Sequence, residues 1–326
     1  MNEIMMNTRV QPTEYDFKRI AIQRKLITAA DELKQFQRIE SGVKGEQIFS
    51  DLMKQFGLKN WLFGRNVWLH DFSDFECDYL LLTNHCVYVF EIKHYFGKFT
   101  YNNGQCTSRG VDITYNPINQ AHNATTHLRN LLPSVPVKGV LVFIGEHNQV
   151  QIQDEIGYID ILCRNDVYQY IQDMIATEYH AQTIIDSSYV ISKLTNRAID
   201  TPYPVVPYQP NQIAAQNAGI FCARCDKSLD WTRKNYIACT CGYHEYRDHL
   251  IVRTICEYGV LTYGTNFTVS GVHYILGNKL SYQYITKILR RYFKQVPNKQ
   301  VLTFENKGLS QIENHKFDRP NKIILV

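Results

Sequence analysis

Residues 76–93 read ECDYLLLTNHCVYVFEIK, two apolar runs joined by a short polar turn. The runs at 78–82 and 86–93 have the composition of strands, and Asn84-His85 between them is typical of a tight turn. The sequence therefore predicts a β-hairpin whose strands are apolar along nearly their whole length.

The charged residues of this hairpin fall at one end. Glu91 and Lys93 lie on the same face of the second strand, because strand residues two apart point the same way. Asp78 begins the first strand, so pairing of the strands would bring Asp78 and Glu91 together near the open end. A predicted helix at 43–56 adds Glu46, on or beside its core-facing stripe. Unpaired charge beside a core is costly, so a bound metal ion or a phosphate is a candidate partner here.

A small set of carboxylates suits Mg²⁺, which keeps several waters and takes a substrate phosphate as a further ligand. Such an ion polarises a phosphoryl oxygen and lowers the pKa of an attacking water. Lys93 beside it would orient that water or neutralise developing charge. The spacing alone leaves an alternative, in which Glu91 and Lys93 form a surface ion pair and Asp78 only caps a turn.

Four short motifs in a fixed order resemble the NERD domain, the nuclease-related domain, a family assigned to the PD-(D/E)XK nuclease-like superfamily. The likeness covers residues 40–143, about a third of the chain. The proline that gives the superfamily its name is absent ahead of Asp78, where Glu76-Cys77 stands. The motifs are GVKGE at 42–46, ECDYLLL at 76–82, VFEIK at 89–93 and NPINQ at 116–120.

The resemblance implies a restriction-endonuclease-like core, with helices flanking a small mixed sheet, and roles for five residues. Asp78 and Glu91 would be the metal-binding acids and Lys93 the catalytic lysine. Glu46 would be the acid of the first helix, and Gln120 the polar residue of the following helix.

The pattern of the first two hundred residues predicts an α/β or α+β domain. One helix begins at Asn116-Pro117, where an asparagine N-cap precedes a proline in the first turn. The expected elements are helices at 15–39, 43–56, 116–132, 166–174 and 187–194, and strands at 66–70, 78–82, 86–93, 98–101 and 140–144.

Four of the nine cysteines form two close pairs. Cys222 and Cys225 are followed, after thirteen intervening residues, by Cys239 and Cys241, a separation typical of tetrahedral zinc sites. The pairs predict a structural Zn²⁺ that adds folding energy to a segment too small to hold its own core. The second pair is Cys-x-Cys, so His244 is a reserve ligand. Redox thiols or independent free cysteines are the alternatives.

The C-terminal segment is basic and helical in pattern. From residue 279 to the end, ten Lys or Arg stand against three Asp or Glu. The last three helical patterns resemble a helix-turn-helix, whose final helix would present cations to phosphates and Gln283 or Lys287 to a groove. A solvated basic face and a protein docking surface are the alternatives. These patterns lie at 249–258, 268–276 and 281–293.

A proline-rich stretch marks a boundary, because residues 201–210 hold four of the ten prolines. The chain is therefore predicted to divide into an N-terminal helical extension at 1–39, a nuclease-like domain at 40–200, a linker at 201–217, a zinc ribbon at 218–246 and a basic helical region at 247–326.

Composition narrows the class of protein. Of the 326 residues, 44% are hydrophobic and 20% charged, which is ordinary for a globular protein of about two domains. The sequence predicts no secretion signal and no membrane span. Scattered and clustered cysteines without an extracellular framework favour a reducing compartment. We therefore expect a cytoplasmic protein without a membrane partner, and a homodimer is compatible with the sequence.

Together these features predict a Mg²⁺- or Mn²⁺-dependent nuclease that hydrolyses phosphodiester bonds, with DNA favoured over RNA as the partner. The zinc ribbon and the basic end would raise the local affinity for the polymer. The rival hypothesis is a nucleic-acid-binding or regulatory protein with a catalytically silent nuclease-like core. A third hypothesis is a protein-interaction adaptor that binds no polyanion.

Overall fold

The protein is described by a computed structural model, and its described residues form two compact units. Unit 1 contains the described parts of residues 1–9 and 38–202, and unit 2 contains those of 10–37 and 203–326. No described helix is long and apolar enough to cross a bilayer. The structure describes residues 2–3, 12–56, 61–180, 185–230 and 235–309.

The described residues contain eight α-helices, two single-turn 3-10 helices and fourteen strands. The helices are α1 (Glu14–Gln23), α2 (Ala30–Gln55), α3 (Pro117–Leu131), α4 (Arg164–His180), α5 (Ser187–Arg197), α6 (Arg247–Leu261), α7 (Val269–Ile275) and α8 (Tyr282–Tyr292). The strands are β1 (Asn2–Glu3), β2 (Leu62–His70), β3 (Asp74–Leu82), β4 (Val87–Lys93), β5 (Lys98–Asn102), β6 (Gln105–Ser108), β7 (Val111–Asp112), β8 (Val137–Phe143), β9 (Gln149–Ile152), β10 (Asp160–Cys163), β11 (Tyr236–Ala238), β12 (His244–Tyr246), β13 (Phe267–Thr268) and β14 (Thr303–Phe304).

The main sheet of unit 1 is mixed, as the α/β or α+β prediction requires. Its order is β1-β2-β3-β4-β8-β10, in which β2, β3 and β4 are antiparallel neighbours and β8 runs parallel to both β4 and β10. A second, four-stranded sheet has the order β7-β6-β5-β9. The predicted fold class, a nuclease-like mixed core with a C-terminal cysteine cluster, is therefore confirmed.

Helices cover both faces of the main sheet, which explains why its central strands are apolar throughout. On one face, Phe49 of α2 and Ile171 of α4 pack with Phe90 of β4. On the other, Leu128 of α3 packs with Val89 of β4. A strand buried on both sides reads as a continuous apolar run, and charge is tolerated only near its end.

Unit 2 has one core, to which the cysteine segment and the helices both contribute. Phe17 of α1 packs in this core with Cys222, Ile237 and Ile251 of α6. Residues of the predicted N-terminal extension, zinc ribbon and basic helical region thus contribute to one core.

Most predicted elements are present with shifted ends, but the helix predicted over 15–39 is interrupted. Helix α1 ends because Lys25 adopts a left-handed conformation, with φ of 57°. The N–H of Lys25 donates to Ile22 O at 2.9 Å, and that of Leu26 donates to Ala21 O at 2.8 Å. These two bonds form a Schellman-type helix end. Glycine usually occupies its left-handed position, so a lysine there did not indicate the end of the helix.

Gly45 allows α2 to approach the end of β4 closely. A Cβ at this position would lie 2.6 Å from His94 Cβ and 3.2 Å from Ile144 Cγ2. His94 is itself fixed to α2, because its Nδ1 lies 2.9 Å from Ser41 O. The glycine therefore sets the distance between the sheet and the helix turn that carries Glu46.

Gly45→Ala is expected to lower the stability of unit 1 by about 1–3 kcal/mol, since the added methyl must push the helix from His94. Gly42→Ala is the matched control on the same helix, because its Cβ would meet no atom within 4 Å. The control should stabilise the helix by up to about 1 kcal/mol. Urea denaturation followed by tryptophan fluorescence measures both, and equal effects of the two variants would contradict the close packing.

Candidate active site and zinc site

Strands β3 and β4 part where the charged residues of the hairpin lie. Their ladder ends at the pair Tyr79 and Phe90, after which β3 continues beside β2 and β4 beside β8. Within the resulting fork, Asp78 Oδ2 accepts a hydrogen bond of 2.7 Å from the N–H of Ile92. The Asp78 carboxylate thus takes the place of a strand partner and is held at the point of divergence.

Glu91 and Lys93 stand on the other arm of the fork. Glu91 is only 7% exposed, and its Oε1 lies 2.6 Å from Lys93 Nζ. Burial opposes the charge of Lys93, but the Glu91 and Asp78 carboxylates outweigh burial and raise the lysine pKa above its usual value. Lys93 is therefore a firmly protonated group between two acids.

The pKa shifts of Asp78 and Glu46 show that the acids of the fork interact electrostatically. Burial, followed by the charge of Glu91, raises the pKa of Asp78 well above its usual value. Burial also raises the pKa of Glu46, which accepts a side-chain hydrogen bond from Asn66 and is affected by both Glu91 and Lys93. Glu46 of α2 is thus coupled electrostatically to Glu91 and Lys93.

Glu76 of β3 is an additional member that the sequence reasoning missed. Burial raises its pKa to about 7, and the charges of Glu46 and Glu91 add to the shift. The Trp68 side chain, opposite it on β2, donates a hydrogen bond to it. In the sequence, Glu76 stands only at the place where the family motif would have its proline. The sequence does contain a signal for Glu76, because strand residues two apart lie on the same face and Glu76 is two residues before Asp78.

Gln120 lies apart in its interactions. It occupies the exposed first turn of α3, whose N-cap Asn116 accepts from the N–H groups of Ile118 and Asn119. Within the described ranges, its side chain forms no hydrogen bond with the acids of the fork. The structure thus brings together Glu46, Asp78, Glu91 and Lys93, and gives no sign of a shared role for Gln120.

The carboxylates of the fork are the kind of ligand that a divalent cation such as Mg²⁺ prefers. Several buried carboxylates with one lysine as countercharge raise one another's pKa, and a cation relieves such repulsion. The acids do not form a tight cage, however. Among the described residues, only the four clustered cysteines form a group of at least three metal-ligating side chains with all ligand atoms within 4.8 Å. Mg²⁺ needs only one or two carboxylates besides water and substrate, so this looser set is sufficient.

Residues 41–144 match the model of a family described as the nuclease-related domain, NERD. This part of the chain is similar to the nuclease-related domain. The predicted resemblance is thereby confirmed, and the match includes every member of the acidic fork. The comparisons with curated proteins and with solved structures give no match.

Beyond the nuclease-related domain, the four clustered cysteines converge as the zinc prediction requires. The sulfur atoms of Cys222 and Cys241 are 3.7 Å apart, and those of Cys225 and Cys239 are 3.4 Å apart. Sulfurs of a disulfide would be about 2.05 Å apart. Those around a tetrahedral zinc with Zn–S bonds of about 2.3 Å are separated by roughly 3.8 Å. The cluster is therefore compatible with a zinc-ribbon-like segment and could bind zinc.

Two backbone turns present these sulfurs. Left-handed residues shape both turns, namely Asp226 with φ of 59° and Gly242 with φ of 84°. A hydrogen bond from the backbone N–H of Cys241 lowers the pKa of Cys239 to about 6, and neighbouring thiols add to this effect. A thiolate, the form that binds metal, is thus available at neutral pH. His244, the reserve ligand, instead places its Nδ1 3.1 Å from Gly242 O and is outside the cluster.

In the Mg²⁺-free protein, the free energy of unfolding of Glu76→Gln is expected to exceed that of wild type by an amount that grows as the pH rises. The pKa of Glu76 is about 7 in the folded chain against 4.5 for an ordinary glutamate, so the folded state holds its proton more tightly. The contribution of Glu76 to the free energy of unfolding therefore decreases as the pH rises from about 4.5 to 7. The variant should gain about 1–3 kcal/mol over wild type across this window, measured by urea denaturation. Glu146→Gln, at an exposed acid, should show no such trend, and a pH-independent difference for Glu76→Gln would contradict the desolvated site.

The purified protein is expected to contain one Zn²⁺ per chain, measured by plasma mass spectrometry. Cys225→Ser should lose most of this zinc and lower the melting temperature of unit 2, because metal binding contributes to folding. Cys163→Ser, at a cysteine outside the cluster, is the control and should keep both. Zinc retained in full by Cys225→Ser would count against the four-sulfur site.

Proposed function

We propose that the nuclease-related domain is a metal-dependent nuclease that hydrolyses phosphodiester bonds in DNA. The observation that carries the proposal is the fork between β3 and β4. It places Asp78, Glu91 and Lys93 side by side, with Glu46 of α2 acting electrostatically on them. This constellation lies within the matched part of the chain.

Asp78 and Glu91 are the residues that would hold Mg²⁺ or Mn²⁺. When bound there, the metal would polarise a phosphoryl oxygen and lower the pKa of a water. Asp78 is fixed by the N–H of Ile92, so one of its oxygens is already oriented while the other is free to act as a ligand. Such fixation reduces the entropy that must be lost when the reacting groups are positioned.

Lys93 supplies the positive charge of the site. Its ammonium group can donate to an attacking water or to a phosphate oxygen on which negative charge develops. Because Lys93 is already ion-paired with Glu91, it is positioned before substrate arrives. In hydrolysis, a bond forms between the water oxygen and phosphorus, and one P–O ester bond breaks.

Glu46 and Glu76 extend the acidic surface around this centre. Glu46 would act through a second ion or a bound water, and Asn66 orients its carboxylate. Glu76, with a pKa of about 7, can hold or release a proton near neutrality. In unit 2, the cysteine cluster and the basic helical region would hold the polymer and raise its local concentration at the site.

A catalytically silent nuclease-like core is the second candidate. The observation favouring it is that the Glu91 carboxylate is already paired with Lys93, while no three of the described acids form a compact group of metal ligands like that of the cysteines. Such a protein would bind nucleic acid without cutting it.

The deciding experiment compares wild type with Asp78→Asn, Glu91→Gln and Lys93→Met on labelled linear, circular and single-stranded DNA and on RNA. Wild type should cleave DNA only with Mg²⁺ or Mn²⁺, and each variant should lose about 100-fold or more in rate. Asparagine keeps an oxygen that can accept from Ile92, so Asp78→Asn should remain folded. Asp51→Asn, at an exposed acid of α2, is the matched control and should cleave like wild type.

The outcomes separate the candidates. Absence of cleavage by folded, zinc-loaded wild type on every substrate, together with salt-sensitive binding, would favour the silent binding protein. Absence of both cleavage and binding would favour the interaction adaptor. Cleavage that persists unchanged in Asp78→Asn and Glu91→Gln would place the chemistry elsewhere.

A further inference from the structure

Strands β13 and β14, an extended segment at 294–296 and three helices form one arrangement in the C-terminal part of unit 2. Strand β13 pairs with β14 through Phe267 and Phe304. On the other side of β14, Val296 N donates to Thr303 O at 2.9 Å and Glu305 N donates to Lys294 O at 2.8 Å. In chain order this is helix α6, strand β13, helices α7 and α8, and then a hairpin whose loop spans 297–302.

The strands are fastened to α6 by close contacts. Asn306, just after β14, donates from Nδ2 to Gly259 O and to Thr265 O, each at 3.0 Å. A Cβ at Gly259 would lie 2.7 Å from the ring of Phe267. The sheet and the three helices therefore form one packed body, and the hairpin loop extends from it.

Helix α8 is held by a sharp turn that leaves one face exposed. Gly277 and Asn278 have φ of 71° and 58°, and Ser281 Oγ accepts from Tyr284 N to begin the helix. One stripe of α8 is buried in the core of unit 2, and the opposite stripe is exposed. The buried residues are Ile285, Ile288, Leu289 and Tyr292, and the exposed ones include Gln283, Lys287 and Arg290.

This order of elements is that of a winged helix-turn-helix, and we propose that it binds duplex DNA, with α8 in the major groove and the hairpin loop on the adjoining backbone. The proposal deepens the proposed function by naming the duplex form of DNA and the surface that binds it. The binding proposal depends on the proposed nuclease function only for the cleavage of the DNA after it is bound.

The charge of this body matches a polyanion. Residues 262–309 contain seven Lys or Arg and a single acidic residue, Glu305, whose carboxylate is 3.0 Å from Lys294 Nζ. Four exposed cations in this segment have no ion pair among the described residues. They lie before α8, on its exposed stripe and in the hairpin loop, and are Lys279, Lys287, Arg290 and Lys299.

Shape favours duplex DNA over the other nucleic acids. An α-helix with its side chains is about 10–12 Å across, and the major groove of B-DNA is about 12 Å wide. The major groove of duplex RNA is too narrow and deep for side chains to reach the bases. Single strands are bound by stacking on several aromatic rings, whereas Tyr282 is the large exposed aromatic of α8 and already stacks on His273. Gln283 and Lys287, in the N-terminal half of α8, are the residues placed to contact base edges.

Fluorescence anisotropy of the zinc-loaded full chain without Mg²⁺ tests the proposal, because no cleavage is then involved. The probes are a 30-base-pair DNA duplex, one of its single strands, and an RNA duplex of equal length. We expect tighter binding to the DNA duplex than to the other two. Lys287→Gln and Arg290→Gln should each weaken duplex binding by about 5-fold or more, and should lower the slope of log affinity against log salt by about 1.

Lys34→Gln is the matched control, since it removes one exposed positive charge from unit 2 outside α6–α8. It should bind like wild type. Melting temperature and zinc content establish that each variant is folded. Equal binding of all three probes, unchanged binding by both α8 variants, or an equal loss for Lys34→Gln would overturn the proposal.

The two proposals fail separately. Loss of metal-dependent cleavage in Asp78→Asn with duplex binding retained supports both. DNA cleavage by a wild type that shows no preference for the duplex would remove the winged-helix proposal alone. Duplex binding by α8 without any cleavage would remove the nuclease proposal alone.

Discussion

The hydrogen bond between Asp78 and the N–H of Ile92 is the constraint on which the candidate site depends. Strands β3 and β4 lie between helices on both faces, so each must be apolar for most of its length. Where the strands part, a backbone N–H would otherwise be left unsatisfied, and leaving it buried is costly. A carboxylate meets this need and is thereby fixed beside Glu91 and Lys93. The same interaction completes the sheet and orients the acid.

Much of this arrangement could be predicted because it follows from local patterns. The apolar runs around Asn84-His85 predicted the hairpin, and Asn116-Pro117 predicted the start of α3. The spacing of the cysteines predicted their convergence. Each of these signals depends on residues that are close in sequence, or on a spacing that only one kind of site requires.

Other features could not be predicted because they depend on tertiary contacts. The end of α1 depends on Lys25 taking a backbone conformation that glycine usually takes. The role of Glu76 depends on burial near Glu46 and Glu91, which no single strand pattern reveals. In unit 2, Arg24, which directly follows α1, lies 3.7 Å from Glu257, and Glu257 also pairs with Arg253 at 2.7 Å. Buried charges of this kind are costly unless paired, but Arg24 and Glu257 are far apart in sequence.

Unit 1 is inserted within unit 2, because residues 10–37 pack with residues 203–326. On the ribosome, α1 is therefore made long before α6, which contributes Ile251 and Ile255 to the core that Phe17 and Ile20 share. At about 5–20 residues per second, this interval is roughly 10–40 s. During that time the nuclease-related domain can fold, while the apolar side of α1 is not yet packed against the rest of the unit 2 core. The order of synthesis thus completes unit 2 only after unit 1 has been made, and α1 stays without its packing partners until α6 follows.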